Sequence, residues 1–251
     1  MENDLELKRL EELAARAART GVTQFTRFID PALTDAVRQA AGRQRAQYRL
    51  YGGYPDAERV MAAFYDTDPP GDSEWPMQAL RIAWNPKFAH PAHRDLLGAV
   101  LGLGIDREAT GDIALATWQG APCAVLFATR EMASYIAASL ESAGRAAVKV
   151  TVADEVPDIA PPEGREVRVT VQQPRLDAVL AAGYDLSRAQ AQKLIAAGLV
   201  KLDHVPNTHT DAQVGEGSLI SARGHGRLKV AAIQGQSRRG RLVMSLFRYG
   251  K

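Results

Sequence analysis

The sequence has a single cysteine, Cys123, few aromatic residues (6%), and no apolar run approaching the roughly 18 residues of a membrane helix. One cysteine excludes an intrachain disulfide. Inside the apolar run from Ala121 to Ala128 it is expected to be a buried structural thiol rather than a nucleophile. The opening twenty residues are charged throughout and lack the apolar core and small-residue cleavage site of a secretory signal, so the expectation is a cytoplasmic protein without membrane contact. What remains is ordinary globular composition, 46% hydrophobic and 24% charged, over 251 residues, a length that favours two or three compact units.

The formal net charge of +2 conceals a division. Residues 165–251 hold 14 Lys and Arg against 6 Asp and Glu, a net of +8, which leaves −6 for residues 1–164. From Gly217 to Lys251 there are eight basic residues and no acidic one. A polyanion can supply the missing partners, although a merely solvated basic face has the same composition.

The expected fold class is α+β, in three parts. Residues 1–75 form an N-terminal, mainly helical region: Leu5, Leu7, Leu10 and Leu13 fall near one helical stripe, and a second helix spans Thr34 to Arg45, with Thr34 as N-cap and Ala36, Val37, Ala40 and Ala41 apolar. The stretch Asp66 to Pro76, rich in Pro, Gly and Asp, breaks regular structure. Residues 76–156 read strand (Met77 to Trp84), helix (Pro91 to Leu103), strand (Asp112 to Trp118), strand (Ala121 to Ala128), helix (Glu131 to Ala143), strand (Ala146 to Val152). Gln119-Gly120 is the hairpin turn. This βαββαβ order is ferredoxin-like, the arrangement of RNA-recognition (RRM-like) domains and of many unrelated proteins. A linker is expected at 157–164. Residues 165–251 then form a small α/β domain with a strand from Val167, helices Arg175 to Ala182 and Arg188 to Ala197, and short strands through Lys201, Ile220, Lys229 and Leu242 to Phe247.

Within that last domain Ala191, Leu194 and Ile195 form a buried stripe, while Arg188, Gln192 and Lys193 lie on other faces of the same helix. Arg175 begins the preceding helix. Guanidinium groups at two helix starts, beside helix N-terminal amides, suit phosphate oxygens. The competing reading pairs Arg175 with Asp177 or Asp185 as a solvated ion pair.

Arg175-Leu176-Asp177, Ser187-Arg188 and the run Ala191 to Val200 closely resemble the RNA-binding domain first known from ribosomal protein S-four. The resemblance implies that Arg175, Ser187, Arg188, Gln192 and Lys193 face RNA, with Lys201 supporting them; Arg223 and Arg227, from the basic stretch without acids, complete the expected RNA-binding set. Asp203-His204 replaces the Asn-Gly turn common after the first short strand, and Gly217-Ser218 stands where Gly-Asp is frequent. The runs Tyr51 to Arg59, His93 to Ile113 and Arg223 to Val230 extend the likeness over nearly the whole chain, which resembles the bacterial YlmH family. That resemblance implies an RNA-binding factor on the large ribosomal subunit carrying an obstructed peptidyl-tRNA, in ribosome-associated quality control of stalled translation. Its partners would be rRNA, tRNA and a nascent-chain quality-control protein.

Several local patterns imitate chemistry. His93-Arg94-Asp95 lacks the Asn and the glycine-rich loop of a kinase. Gly102-Leu103-Gly104 follows a helix, where a dinucleotide loop would precede one, and so reads as a tight turn. His90 and His93 have no third ligand in pattern, so a role at the loop-to-helix junction is expected and no metal, cofactor or catalytic residue is assigned. Two alternatives stay open: an RNA-modifying enzyme of the pseudouridine synthase or methyltransferase type, whose own motifs are not found outside the binding domain, and a protein-binding scaffold with incidental RNA affinity.

Overall fold

Apolar side chains at i, i+3 and i+4 spacing seat α1 (Glu2–Thr20) through Leu10, Ala14 and Ala17, all buried. Leu5, expected on the same stripe, is 70% exposed, because it lies five residues from Leu10 and well over a quarter-turn off that face. The computed structural model describes residues 2–55, 57–160, 163–237 and 239–250, which fall in two units, Met1–Ala160 and Pro161–Lys251.

The first unit is layered. After α1 come β1 (Gln24–Phe25), a short 3-10 turn, α2 (Thr34–Gln44), β2 (Gln47–Tyr51) and β3 (Met61–Tyr65), the three strands forming an antiparallel sheet in the order β1-β3-β2. Leu33, not Thr34, is the N-cap of α2. The Thr34 hydroxyl instead donates to the Pro31 carbonyl at 2.8 Å, continuing the preceding turn. On β3 the side chains alternate between two cores: Ala62 and Phe64 meet α1 and α2, whereas Met61 and Ala63 face the next layer.

That next layer is built from β4 (Met77–Trp84), α3 (His93–Leu101), β5 (Thr110–Trp118), β6 (Ala121–Thr129), α4 (Arg130–Ser139), β7 (Ser142–Ala143), β8 (Ala146–Val152) and β9 (Asp158–Ile159). The antiparallel strand order β7-β8-β4-β6-β5-β9 contains the ferredoxin-like β8-β4-β6-β5, with a short strand added at each edge, one of them inside the segment expected as linker. Gln119 and Gly120 both take positive φ (50° and 78°), as a two-residue hairpin turn requires. Leu80, Ile82, Leu126 and Ala124 pack on α3 and α4. Ala79, Cys123, Val125 and Phe127 on the opposite face pack on Phe28, Met61, Ala63 and Trp75. Helix α3 starts at His93, two residues after Pro91. The Asp95 carboxylate accepts from the Ala92 amide at 2.9 Å, so an aspartate secures this helix start and neither histidine does.

The run from Tyr51 to Arg59 fastens these layers. A Cβ at Gly53, where φ is +95°, would sit inside the Phe127 ring. Tyr54 stacks on Phe127 with centroids 5.5 Å apart and donates to Asp112 Oδ2 at 3.1 Å. The Arg59 guanidinium is buried and donates to the carbonyls of Thr110, Phe28 and Arg107. Burial, followed by the neighbouring Arg107 charge, lowers its pKa. Cys123 is buried as expected, and burial pushes its thiol up.

The second unit comprises β10 (Gly164–Val171), α5 (Leu176–Gly183), α6 (Arg188–Ala196), β11 (Val200–Leu202), β12 (Val205–Pro206), β13 (Leu219–Ala222), β14 (Gly226–Gln236) and β15 (Leu242–Tyr249). Its strands make one antiparallel sheet, β10-β15-β14-β13-β11-β12, with α5 and α6 packed on one face through Leu176, Leu180, Ala191 and Ile195. Gly198 terminates α6 in the left-handed region (φ 68°), whereas at the end of α5 that conformation falls to Asp185 (φ 57°) rather than to glycine. Among the described residues no helix is long and apolar enough to cross a membrane.

Candidate nucleic-acid interface

Two helix starts converge on one buried carboxylate. Arg175 is the N-cap residue of α5 in extended conformation, and Asp177 lies in the first turn of that helix, 0% exposed. The local backbone is fixed from far along the chain: the Leu176 amide donates to the Ala212 carbonyl at 2.8 Å and the Asp177 amide to the Thr210 carbonyl at 3.1 Å. Ser187 caps α6, accepting from the Gln190 amide at 3.2 Å, while the Gln190 side chain accepts from the Ser187 amide at 2.9 Å. This reciprocal pair sets where Arg188, the first residue of α6, leaves the backbone.

Arg188 Nη2 donates to Asp177 Oδ2 at 2.6 Å, and Gln192 Nε2 donates to the same oxygen at 2.9 Å. Arg175 Nε lies 3.4 Å from Asp177 Oδ1, an ion pair without hydrogen-bond geometry. Three residues of the expected RNA-facing set are thus organised by a fourth that sequence reasoning did not include. Asp177 is no solvated ornament. Burial pushes its carboxyl up, but hydrogen bonds from Gln192 and Arg188, with the charges of Arg188 and Arg175, outweigh that and hold it below its ordinary value. The arginine side chains stay partly open, 34% exposed for Arg175 and 52% for Arg188. Two guanidinium groups against one carboxylate leave a net positive surface whose donors are held in place before any ligand arrives, which reduces the ordering cost of binding.

The other expected residues are distributed. Lys193 is exposed on α6 beside Gln192, and Ser187 is exposed with its hydroxyl engaged in the cap. Arg223 is exposed in the hairpin between β13 and β14, where its amide donates to the Leu199 carbonyl at 2.9 Å. Lys201 on β11 and Arg227 on β14 occupy alternate positions to Val200 and Leu228, which enter the core beneath the helices, so they point away from α5 and α6. The Arg227 guanidinium carbon is 4.9 Å from the Tyr249 ring centroid. At the end of α5, burial pushes the Tyr184 hydroxyl up to about 12, and the Arg248 guanidinium lies 4.9 Å from its ring centroid.

The replaced turn keeps its geometry. Asp203 and His204 both have positive φ (48° and 70°) between β11 and β12, as an Asn-Gly pair would, and the Asp203 carboxylate accepts from the Leu219 amide at 2.7 Å. Among the described residues no group of three or more His, Cys, Asp or Glu is placed to hold a metal ion.

Both units have counterparts among known proteins. Residues 70–155 match the family model described as "Putative RNA-binding domain in YlmH", and residues 174–220 match the S4 domain. The chain is 32% identical over 218 residues, 86% of its own length and 83% of the relative's, to ribosome-associated protein quality control protein P2 of Bacillus subtilis. Among solved structures, cell division protein ylmH from Streptococcus pneumoniae is 21% identical with a TM-score of 0.48, covering 61% of this chain and 92% of that one.

Proposed function

Because this chain belongs to the YlmH family of RNA-binding proteins, we propose that it is a cytoplasmic factor that binds rRNA and peptidyl-tRNA on the large ribosomal subunit during quality control of stalled translation. The name of the Bacillus relative supports the ribosomal setting, and the matched domains support RNA as the ligand. The observation that carries the reading is the buried Asp177 carboxylate behind Arg175, Arg188 and Gln192. A carboxylate in that position fixes the directions of two guanidinium groups, which suits the fixed spacing of phosphates along a folded RNA.

In this reading Arg175, Arg188, Gln192 and Lys193 contact the backbone of structured RNA, Ser187 orders the start of α6, and Arg223 adds a contact from the hairpin between β13 and β14, while Lys201 and Arg227, on the face turned away from the helices, take no part in that contact. The protein acts by binding, without catalysis. Asp177 is buried and already committed to its cationic partners, so the surface presents donors and positive charge rather than a free base or nucleophile.

The test is cosedimentation with isolated large subunits over a salt series, comparing the parent with Arg175→Ala plus Arg188→Ala and with Lys193→Glu. Parent protein should pellet with the subunit, most strongly when peptidyl-tRNA is retained. Both variants should remain in the supernatant with unchanged circular dichroism. Variants that pellet like the parent would show the RNA surface to lie elsewhere.

A further inference from the structure

The strand register of the second unit sorts its side chains into two faces. Ile220, Leu228, Met244 and Leu246 turn towards α5 and α6 and form the core. Residues at the alternate positions turn the other way, and the register sets them in rows across the sheet. Lys201 pairs with Ser221, and Ser221 with Arg227. In the next row Lys229 pairs with Phe247, and Phe247 with Glu166. Beyond it Arg168 pairs with Ser245.

Two aromatic rings lie among these cations. Phe247 and Tyr249 stand edge to face, with centroids 5.0 Å apart and an interplanar angle of 84°, and Arg227 covers the Tyr249 ring. Both rings are half-buried, so each keeps solvent-facing surface. Within these rows Lys201 and Arg168, both exposed, set positive charge beside the rings, and Glu166 lies on the edge strand β10. A solvated basic face has no need of rings on its outward side. A surface that pairs with phosphates and stacks on bases needs both. Duplex RNA hides its base faces within its own stack, so rings set in a sheet can be used only by unpaired nucleotides.

We infer that the helix-free face of this sheet is a second RNA surface, which takes an unpaired strand by stacking bases on Tyr249 and Phe247 and pairing phosphates with the surrounding cations. The inference rests on the RNA-binding reading above but concerns a different face, so the two fail separately. The second unit then holds folded RNA on its helical side and a single strand on the other.

The experiment is fluorescence anisotropy of the full chain with a labelled oligoadenylate and with a labelled RNA duplex, at one salt concentration. Tyr249→Ala should weaken oligoadenylate binding by about 10-fold, the size of one lost base stack. Tyr249→Phe should stay within about twofold of the parent, since the ring is kept. Lys201→Glu, exposed and outside the core, should weaken it in the same direction and decides the matter if Tyr249→Ala does not fold. Duplex binding should be unaffected by these changes and lost with Arg188→Ala. A parent that does not bind oligoadenylate, or whose binding responds to Arg188→Ala alone, would overturn the inference. So would unchanged RNA binding in variants that lose a copurifying protein, which would give this face to a protein. Oligoadenylate binding that responds as expected, in a protein that never pellets with large subunits, would instead remove the ribosomal reading and leave this one standing.

Discussion

Asp177 shows how one carboxylate can set a binding surface without touching the ligand. Its two oxygens serve two arginines and a glutamine, so replacing it by asparagine fills the same space but leaves both guanidinium groups without their counter-charge. Asp177→Asn should lower stability by about 3 kcal/mol in urea unfolding, the scale of a broken buried pair, and should loosen RNA binding although no contact residue is changed. The carboxyl is held below its ordinary pKa in the folded protein. Its contribution is therefore complete above the unfolded value of about 3.9 and is lost as pH falls through the lower folded value. An acid titration of stability should be steeper in the parent than in Asp177→Asn below about pH 4. The arginines of this site were legible in the sequence because the motif places them at helix starts. The burial of Asp177 was not, because it depends on Thr210 and Ala212, more than thirty residues along the chain. Gly53 makes the same point about packing. With positive φ and the Phe127 ring where a Cβ would stand, Gly53→Ala should cost about 3 kcal/mol, combining left-handed strain with overpacking, measured by thermal unfolding.

At the scale of elements, the turn at Asp203-His204 holds two residues in the left-handed region, where only glycine is free of steric cost. His204→Gly should raise stability by about 1 kcal/mol in urea unfolding and leave RNA binding unchanged. The same scale shows where sequence patterns succeed. The βαββαβ order was readable because its helices have a helical period and its hairpin carries a turn dipeptide, and β4 and β8 match the expected ranges residue for residue. Strands β2 and β3 carry no such signal in the sequence. β3 is a short apolar run buried on both faces between two cores, so it shows no period-two alternation, and β2 is half-buried along most of its length with a similarly flat pattern. The motif from Tyr51 to Arg59 was visible as a string, but what it does became visible only with the second sheet against it.

Over the whole molecule the charge is divided, −6 before residue 165 and +8 from there on, and the acidic part contains the layered N-terminal unit. RNA affinity should therefore fall linearly on a logarithmic salt axis, with a slope of about 0.7 to 0.9 for each phosphate neutralised. Arg175→Ala plus Arg188→Ala should reduce that slope by about two contacts, measured by filter binding between low and moderate salt. The layers explain why residues 1–75 belong with the sheet that follows: Phe28, Met61 and Ala63 cover the face that holds Val125 and Phe127, the side on which an RNA-recognition sheet would be open. In the second unit the first strand, β10, pairs along its length with the last, β15, and Met244 and Leu246 of β15 form part of the core on which α5 and α6 rest. The helices that carry Arg175 and Arg188 therefore gain their full seat only when β15, the last strand of the unit in chain order, has closed against its first, so the grip of this unit is set by a pairing between its two ends.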